Sequence, residues 1–148
     1  MVKKKSTTAP LHFFTPLQKK GSGIPIIENG ISAGFPSPAE DFKETRISLD
    51  KTLIKNKEAT FYARVEGKSM INAGLDDGDL LVIDRSLEPL HNKIAVCFID
   101  GEFTVKRLKI EKNGLYLMPE NSTYQPIKIT EENNLIIWGI VTYVIKAV

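Results

Sequence analysis

Short apolar segments separated by turn-forming residues run from about residue 46 to the end of the chain and constrain its fold more than any other feature. In FYARVE, residues 61–66, apolar and polar side chains alternate, as in a strand with one buried face. The dipeptide Asp100-Gly101 separates two such segments and is typical of a hairpin turn. Helical periodicity is weak, and only residues 49–55 are expected to form one or two helical turns. The pattern predicts a compact, mostly β domain.

Further segments carry the same strand signals, and the last of them is the most apolar part of the chain. They are DLLVIDR at 79–85, IAVCFID at 94–100, FTVKRLKIE at 103–111, GLYLMP at 114–119 and LIIWGIVTYVIK at 135–146. The last segment is too short for a membrane helix, and its threonine and tyrosine suit a strand. No apolar stretch of signal-peptide length follows the first lysines, so we expect a cytoplasmic protein without membrane association.

The part of the chain before about residue 45 lacks this patterning. It holds five of the eight prolines and no apolar helical repeat long enough for a DNA-reading helix-turn-helix. Residues 1–27 contain five lysines and no acidic residue, whereas the rest of the chain holds 15 basic and 18 acidic residues. A basic arm can contact nucleic acid, but it is more often a solvated tail. We expect an arm that docks on the folded body and can detach from it.

The stretch SAGFPSPAED, residues 32–41, has the properties of a protease substrate. Ala33 and Gly34 have almost no side chain to obstruct attack, and Pro36 and Pro38 favour an extended backbone. An ordinary linker rich in proline and glycine has the same composition. The stretch by itself is therefore compatible with both interpretations.

Ser69 follows a predicted strand in EGKSM, residues 66–70. A serine at the end of a strand can stand exposed where backbone N–H groups converge, which an oxyanion hole requires. The motif is short, however, and a serine hydroxyl needs a base because it is a weak nucleophile at neutral pH. His12 lies in the arm and His91 in a polar loop, so a Ser-His-Asp triad has no support in the sequence.

Lys106 is the better candidate for the base. From residue 106 onward its strand alternates so that Lys106, Leu108 and Ile110 share the apolar face. A free lysine is neutral in only about one molecule in 2500 at pH 7, a cost of roughly 4.6 kcal/mol, and burial can lower the lysine pKa by about 3–5 units. The neutral amine could then take the proton of Ser69. A strand lysine can also extend its ammonium group to the surface, and the pattern leaves that alternative open.

Metal and cofactor chemistry have little basis in the sequence. Cys97 is the one cysteine, and its position in IAVCFI predicts a buried, inert thiol. Besides this cysteine the chain has only the histidines His12 and His91, so we expect no metal site and no cofactor.

Three motifs, SAGFPSPAED, GKSM and FTVKRL, resemble in their order those of the LexA/UmuD family of self-cleaving Ser–Lys proteins. The similarity is greatest to the UmuD-like branch and continues through DDGDLL, MPENSTYQPI and WGIVTYVIKAV, covering nearly everything from residue 32 to the end. It implies an arm, residues 1–33, that self-cleavage removes from a compact β-rich body, residues 34–148, similar to the LexA C-terminal domain. In this serine endopeptidase Ser69 would be the nucleophile and Lys106 the general base. The cleaved bond would join Ala33 to Gly34, and the backbone N–H groups of Lys68 and Ser69 would bind the oxyanion.

The resemblance also implies partners. Family members form homodimers, and the RecA–single-stranded DNA filament of the SOS response stimulates their cleavage. In the UmuD-like branch the shortened dimer then joins a UmuC-like error-prone polymerase for translesion synthesis. LexA-like repressors carry a helix-turn-helix before the cleavage region, whereas the 33 residues before the expected bond here are interrupted by prolines. We therefore expect no sequence-specific DNA binding.

Other functions are compatible with the same residues. A non-enzymatic dimeric β domain, with the arm resting in a groove, would remain full-length under every condition. A repressor fragment competing for family partners would bind specific DNA. A signal-peptidase-like enzyme shares Ser–Lys chemistry but normally has a membrane anchor.

Overall fold

The computed structural model describes residues 12–17, 24–27, 33–35 and 44–148. The chain divides into two compact units, one of Met1–Pro16 with Asn56–Val148 and the other of Leu17–Lys55. The lysines of the arm and the extended backbone expected at Pro36 and Pro38 lie outside the described residues. The predicted division at residue 33 into arm and body stays a prediction.

The described part of the chain contains ten strands and one α-helix. These are β1 His12–Phe14, β2 Ile24–Ile27, β3 Glu44–Ile47, α1 Leu49–Leu53, β4 Thr60–Arg64, β5 Leu80–Asp84, β6 Ile94–Ile99, β7 Glu102–Glu111, β8 Gly114–Met118, β9 Ile127–Lys128 and β10 Leu135–Ile145. The larger unit is one antiparallel sheet of eight strands in the order β1-β4-β5-β10-β6-β7-β8-β9. In the smaller unit β2 pairs with β3, and α1 follows. The mostly β fold predicted from the sequence is confirmed.

A tight turn joins β6 to β7 and sets the register in which these two central strands of the larger unit pair. Asp100 and Gly101 have φ values of 49° and 86°, which are the positive values that a type I′ turn requires at both positions. The turn fixes Ile99 opposite Glu102 and, further along, Ala95 opposite Lys106. The Asp-Gly hairpin signal in the sequence is thus confirmed.

Apolar side chains cover both faces of β7. Val105 belongs to one buried cluster, with residues of β4, β5 and β6, and Leu108 belongs to a second cluster with residues of β6, β8 and β10. Lys106 and Leu108 are buried as the alternation predicts, whereas Ile110, two residues further along the same strand, is 46% exposed. Ile110 lies near the end of the β7–β8 hairpin, opposite Leu115.

A short part of the arm forms the edge strand β1, which the sequence analysis did not predict. It pairs with β4, and Phe13 lies opposite Ala63. The Phe13 ring contacts Phe103 and Trp138, with centroid distances of 5.0 and 4.5 Å. Such an edge strand is held by main-chain hydrogen bonds and one aromatic side chain, so a segment of this length carries no periodic signal. Among the described residues, no helix combines the length and apolar character needed to cross a membrane.

The tight packing of β10 on β5 gives a stability prediction. A Cβ atom on Gly139 would lie 2.6 Å from Cγ2 of Ile83, which is fully buried and cannot move aside easily. We expect Gly139→Ala to lower the free energy of unfolding by about 1–3 kcal/mol in urea denaturation. Gly34→Ala is the control, because its Cβ would meet no heavy atom within 4 Å. Equal unfolding free energies for the two variants would contradict the packing argument.

Candidate active site

The structure brings Ser69 and Lys106 together. Lys106 lies in the middle of β7, and its Nζ is 3.1 Å from Ser69 Oγ, within hydrogen-bond distance. Ser69 lies in the segment between β4 and a short 3-10 helix, Ile71–Ala73. The Lys106 side chain stays inside the protein, since the residue is only 7% exposed. The fold therefore places a hydroxyl beside a buried amine.

The Lys106 amine has two further partners, and both come from its own strand. Its Nζ donates to Thr104 Oγ1 at 2.6 Å and to the carbonyl oxygen of Val105 at 3.1 Å. A neutral amine has two N–H donors and one lone pair. If those two donors are used on Thr104 and Val105, the lone pair is directed at Ser69. This arrangement suits an amine that accepts the serine proton.

Thr104 is a site residue that the sequence analysis missed. It is two residues from Lys106 on the same strand, so alternation places both side chains on the same face of the sheet. The alternation along the strand therefore already indicated that Thr104 and Lys106 share a face. A threonine in a strand is common, however, and nothing in the sequence marks its hydroxyl as a partner of the amine.

Burial determines the protonation states of Lys106 and Cys97. Loss of contact with water lowers the pKa of Lys106 from its ordinary value of 10.5. A thiolate at Cys97 would oppose this shift, but burial raises the pKa of Cys97 to about 12. The thiol therefore stays protonated at neutral pH and supplies no negative charge that would hold a proton on the lysine. The burial of this thiol, expected from the sequence, is confirmed.

The residues that flank Ser69 in the chain anchor its segment. Met70 is buried in the core, and its carbonyl oxygen accepts hydrogen bonds from the N–H groups of Ala73 and Leu75. The N–H of Gly67 donates to Asp77 Oδ1 at 2.8 Å. Among the hydrogen bonds of the described residues, none has the N–H of Lys68 or Ser69 as its donor. The oxyanion-binding role expected for these two N–H groups stays a prediction.

A second group of contacts supports the turn that leads from the serine to β5. Lys146, near the C-terminus, donates hydrogen bonds to Asp76 and Asp79. Burial acts to raise the pKa of Asp79, but the hydrogen bonds from Lys146 and from the Asp76 N–H outweigh it, and the pKa lies below its ordinary value. Asp79 is therefore a buried carboxylate that stays ionised and ties the turn to the end of the sheet.

A cavity of about 360 Å³ opens beside the serine. Ser69, Thr104 and Lys106 lie in its wall, and Tyr124 and Gln125 line it from the segment after β8. Its volume is in the range of sites that hold small molecules or a few residues of a peptide. Ser69 and Lys106 thus face a space large enough for a small ligand or a short peptide.

The two histidines lie elsewhere and make other contacts. His12 Nε2 is 3.2 Å from Glu66 Oε1, and His91 Nδ1 accepts a hydrogen bond from the Ile110 N–H. Neither histidine is among the residues that line the cavity. Within the described ranges, no cluster of histidine, cysteine, aspartate or glutamate side chains is arranged to hold a metal ion.

The expected cleavage site is only partly described. Ala33, Gly34 and Phe35 form an exposed bend in the smaller unit, whereas Ser32 and residues 36–41 of the stretch lie outside the described residues. The exposure of this backbone is a property that a protease substrate needs. The cleavage of the Ala33–Gly34 bond stays a prediction.

Comparison with known proteins gives one family match and several similar proteins. Residues 25–142 match the family model described as Peptidase S24-like. Protein MucA of Salmonella typhimurium is 41% identical over 121 residues, which cover 81% of this chain and 82% of MucA. Protein ImpA of Salmonella typhimurium is 40% identical over 127 residues, 82% of each chain. Protein SamA of Salmonella typhimurium strain LT2 is 42% identical over 121 residues, 82% of this chain and 84% of SamA. These matches confirm the resemblance inferred from the motifs.

Two lysines of the larger unit should lose their protons in a definite order. Burial lowers the pKa of Lys106, whereas the hydrogen bonds with Asp76 and Asp79 raise the pKa of Lys146 above 10.5. We expect NMR titration of protein labelled with ¹³C at the lysine ε-carbon to show Lys106 deprotonating at lower pH. The variants Lys106→Met and Lys146→Met would identify the two signals. The opposite order would contradict the assignment of Lys106 as a buried amine with a lowered pKa.

Proposed function

This chain belongs to the Peptidase S24-like family, and from that premise we propose that it is a serine endopeptidase that cleaves its own chain between Ala33 and Gly34. The observation that carries the proposal is the 3.1 Å contact between Ser69 Oγ and the buried Lys106 amine. A nucleophile and a base within hydrogen-bond distance are the minimum that acyl transfer by a serine requires.

The reaction would proceed by acyl transfer. The neutral Lys106 amine takes the proton of Ser69, and Oγ attacks the carbonyl carbon of Ala33. The N–H groups of Lys68 and Ser69 stabilise the oxyanion that forms there. When the intermediate collapses, the Ala33–Gly34 bond breaks and Lys106 gives its proton to the Gly34 nitrogen. Water, deprotonated by Lys106, then hydrolyses the ester and restores Ser69.

We further propose that self-cleavage converts the chain into an SOS mutagenesis factor of the UmuD type. The RecA–single-stranded DNA filament would stimulate the cleavage. The product, residues 34–148, would act in the cytoplasm as a homodimeric accessory subunit of a UmuC-like error-prone polymerase. The similarity to MucA, ImpA and SamA over about four-fifths of the chain supports this role.

Self-cleavage can be tested by mass spectrometry of the intact chain incubated with RecA filaments. We expect two products, residues 1–33 and 34–148. Ser69→Ala should abolish them, and Lys106→Ala should slow their formation by about 10²–10⁴-fold, the usual contribution of a general base. Lys109→Ala is the matched control, because Lys109 lies on the same strand, is paired with Glu111 and does not line the cavity.

The outcomes separate the candidate functions. A break at a different bond, or cleavage that persists in Ser69→Ala, would exclude the proposed mechanism. A chain that stays intact with RecA filaments and at alkaline pH would favour the non-enzymatic dimeric β domain instead.

The rate of spontaneous cleavage should depend on pH in a definite direction. Only the neutral form of Lys106 can act as the base, so the rate should rise with pH through the folded-state pKa of Lys106 and then level off. Because burial lowers that pKa, half of the maximal rate should be reached below pH 10.5. The rate is measured by gel densitometry over the range in which circular dichroism shows folded protein. A rate independent of pH would contradict the role of Lys106.

A further inference from the structure

The segment after β8 holds the backbone on both sides of the Ser69 amide. Asn121 Nδ2 donates to the carbonyl oxygen of Lys68 at 2.8 Å, and the Glu120 N–H donates to the carbonyl oxygen of Ser69 at 2.8 Å. The Glu120 carbonyl oxygen in turn accepts from the Asn72 N–H at 2.8 Å. Two successive carbonyl groups of the nucleophile segment are thus fixed by one neighbouring segment.

The orientation of the Asn121 amide is itself determined by Thr123. Asn121 Oδ1 accepts hydrogen bonds from the Thr123 N–H at 3.1 Å and from Thr123 Oγ1 at 2.9 Å. Only the NH₂ end of the side chain is then left to face Lys68. The carbonyl oxygen of Lys68 has one weaker donor besides, the N–H of Ile71 at 3.4 Å. Asn121 therefore provides the shorter of the two contacts to this carbonyl.

Because the peptide group is planar, the contact between Asn121 and the Lys68 carbonyl also determines the direction of the Ser69 N–H. The Lys68–Ser69 bond is trans, so the Lys68 carbonyl and the Ser69 N–H point in opposite directions. Fixing the carbonyl oxygen with Asn121 consequently fixes the Ser69 N–H on the other side of the plane. That N–H is one of the two groups expected to bind the oxyanion.

We propose that Asn121 is a positioning residue that aims the Ser69 N–H at the oxyanion of the self-cleavage reaction; this inference rests on the proposed function. Asn121 does not touch the reacting atoms and acts through the Lys68–Ser69 peptide. Arg107 completes the support, because it bonds the Glu120 carboxylate and, through Nη1, the carbonyl oxygen of Asn92 at 2.7 Å. The strand that carries the base thus also anchors the segment that orients the oxyanion donor.

Asn121→Asp is the sharpest variant for a test. The carboxylate keeps the acceptor for Thr123 and nearly the same volume, but it loses the donor and sets a negative oxygen against the Lys68 carbonyl. Removal of a whole oxyanion donor costs about 10²–10³ in rate, and a misdirected donor retains part of its effect, so we expect cleavage to slow about 10- to 100-fold. The pH at half-maximal rate should not move, because Lys106 is untouched. Asn113→Asp, in the β7–β8 turn, is the matched control and should cleave at the rate of the unmodified chain.

A second measurement separates the oxyanion donor from the nucleophile and base. In a Ser69→Cys background, iodoacetamide alkylates the thiol at position 69 by displacement of iodide, a reaction that builds no oxyanion. We expect the alkylation rate to be the same, within about twofold, with and without Asn121→Asp. Cys97 is buried and has a pKa of about 12, so its alkylation would report loss of the fold.

Each result decides a different point. An unchanged cleavage rate in Asn121→Asp, or an alkylation rate that falls together with the cleavage rate, would overturn the role of Asn121 in orienting the donor. Alkylation of Cys97 in the Asn121→Asp variant would show that this side chain supports the fold rather than the donor. Absence of cleavage after Ala33 in both the unmodified chain and Asn113→Asp would overturn the proposed function, and this inference with it.

Discussion

The chemistry that we propose for this protein depends on one constraint, the exclusion of water from the Lys106 amine. A charged amine is costly to bury, so the surroundings favour the neutral form that can accept a proton. A lysine with only a structural role would gain by extending to solvent, as long side chains on strands usually do. Lys106 instead stays 7% exposed and directs its nitrogen at Ser69. A departure from the rule that charges stay outside is typical of functional sites.

The strand β7 fulfils this constraint through its two faces. One face carries the side chains of Thr104, Lys106 and Leu108. The residue directly opposite Lys106 on the neighbouring strand is Ala95, whose small side chain leaves space for the lysine. On the other face, Val105 packs into the core and Arg107 holds the segment that contains Asn121. One strand therefore places both the proposed base and the support of the serine backbone, so their relative positions follow from a single register.

The sequence predicted the parts of the structure that have a local periodic or turn signal. This group includes the strands from β4 to β8, the strand β10, the Asp100-Gly101 turn and the inward position of Lys106. The edge strand β1, the β2–β3 pair and the two-residue β9 were missed, because pairing of so few residues depends on main-chain contacts with a distant neighbour. Thr104 and Asn121 were missed as partners, because ordinary polar side chains acquire these contacts only when the chain is folded.

What the sequence determined by itself is the alternation that makes β7 a strand with a lysine on an apolar face, together with the motifs that resemble a self-cleaving family. Alternation is a local property of the backbone, and it needs no knowledge of distant residues. What only the tertiary structure decided is the meeting of that lysine with Ser69, and the hold of Asn121 on the serine peptide. These contacts join residues 37 and 53 positions apart, and their distances depend on the register of several strands at once.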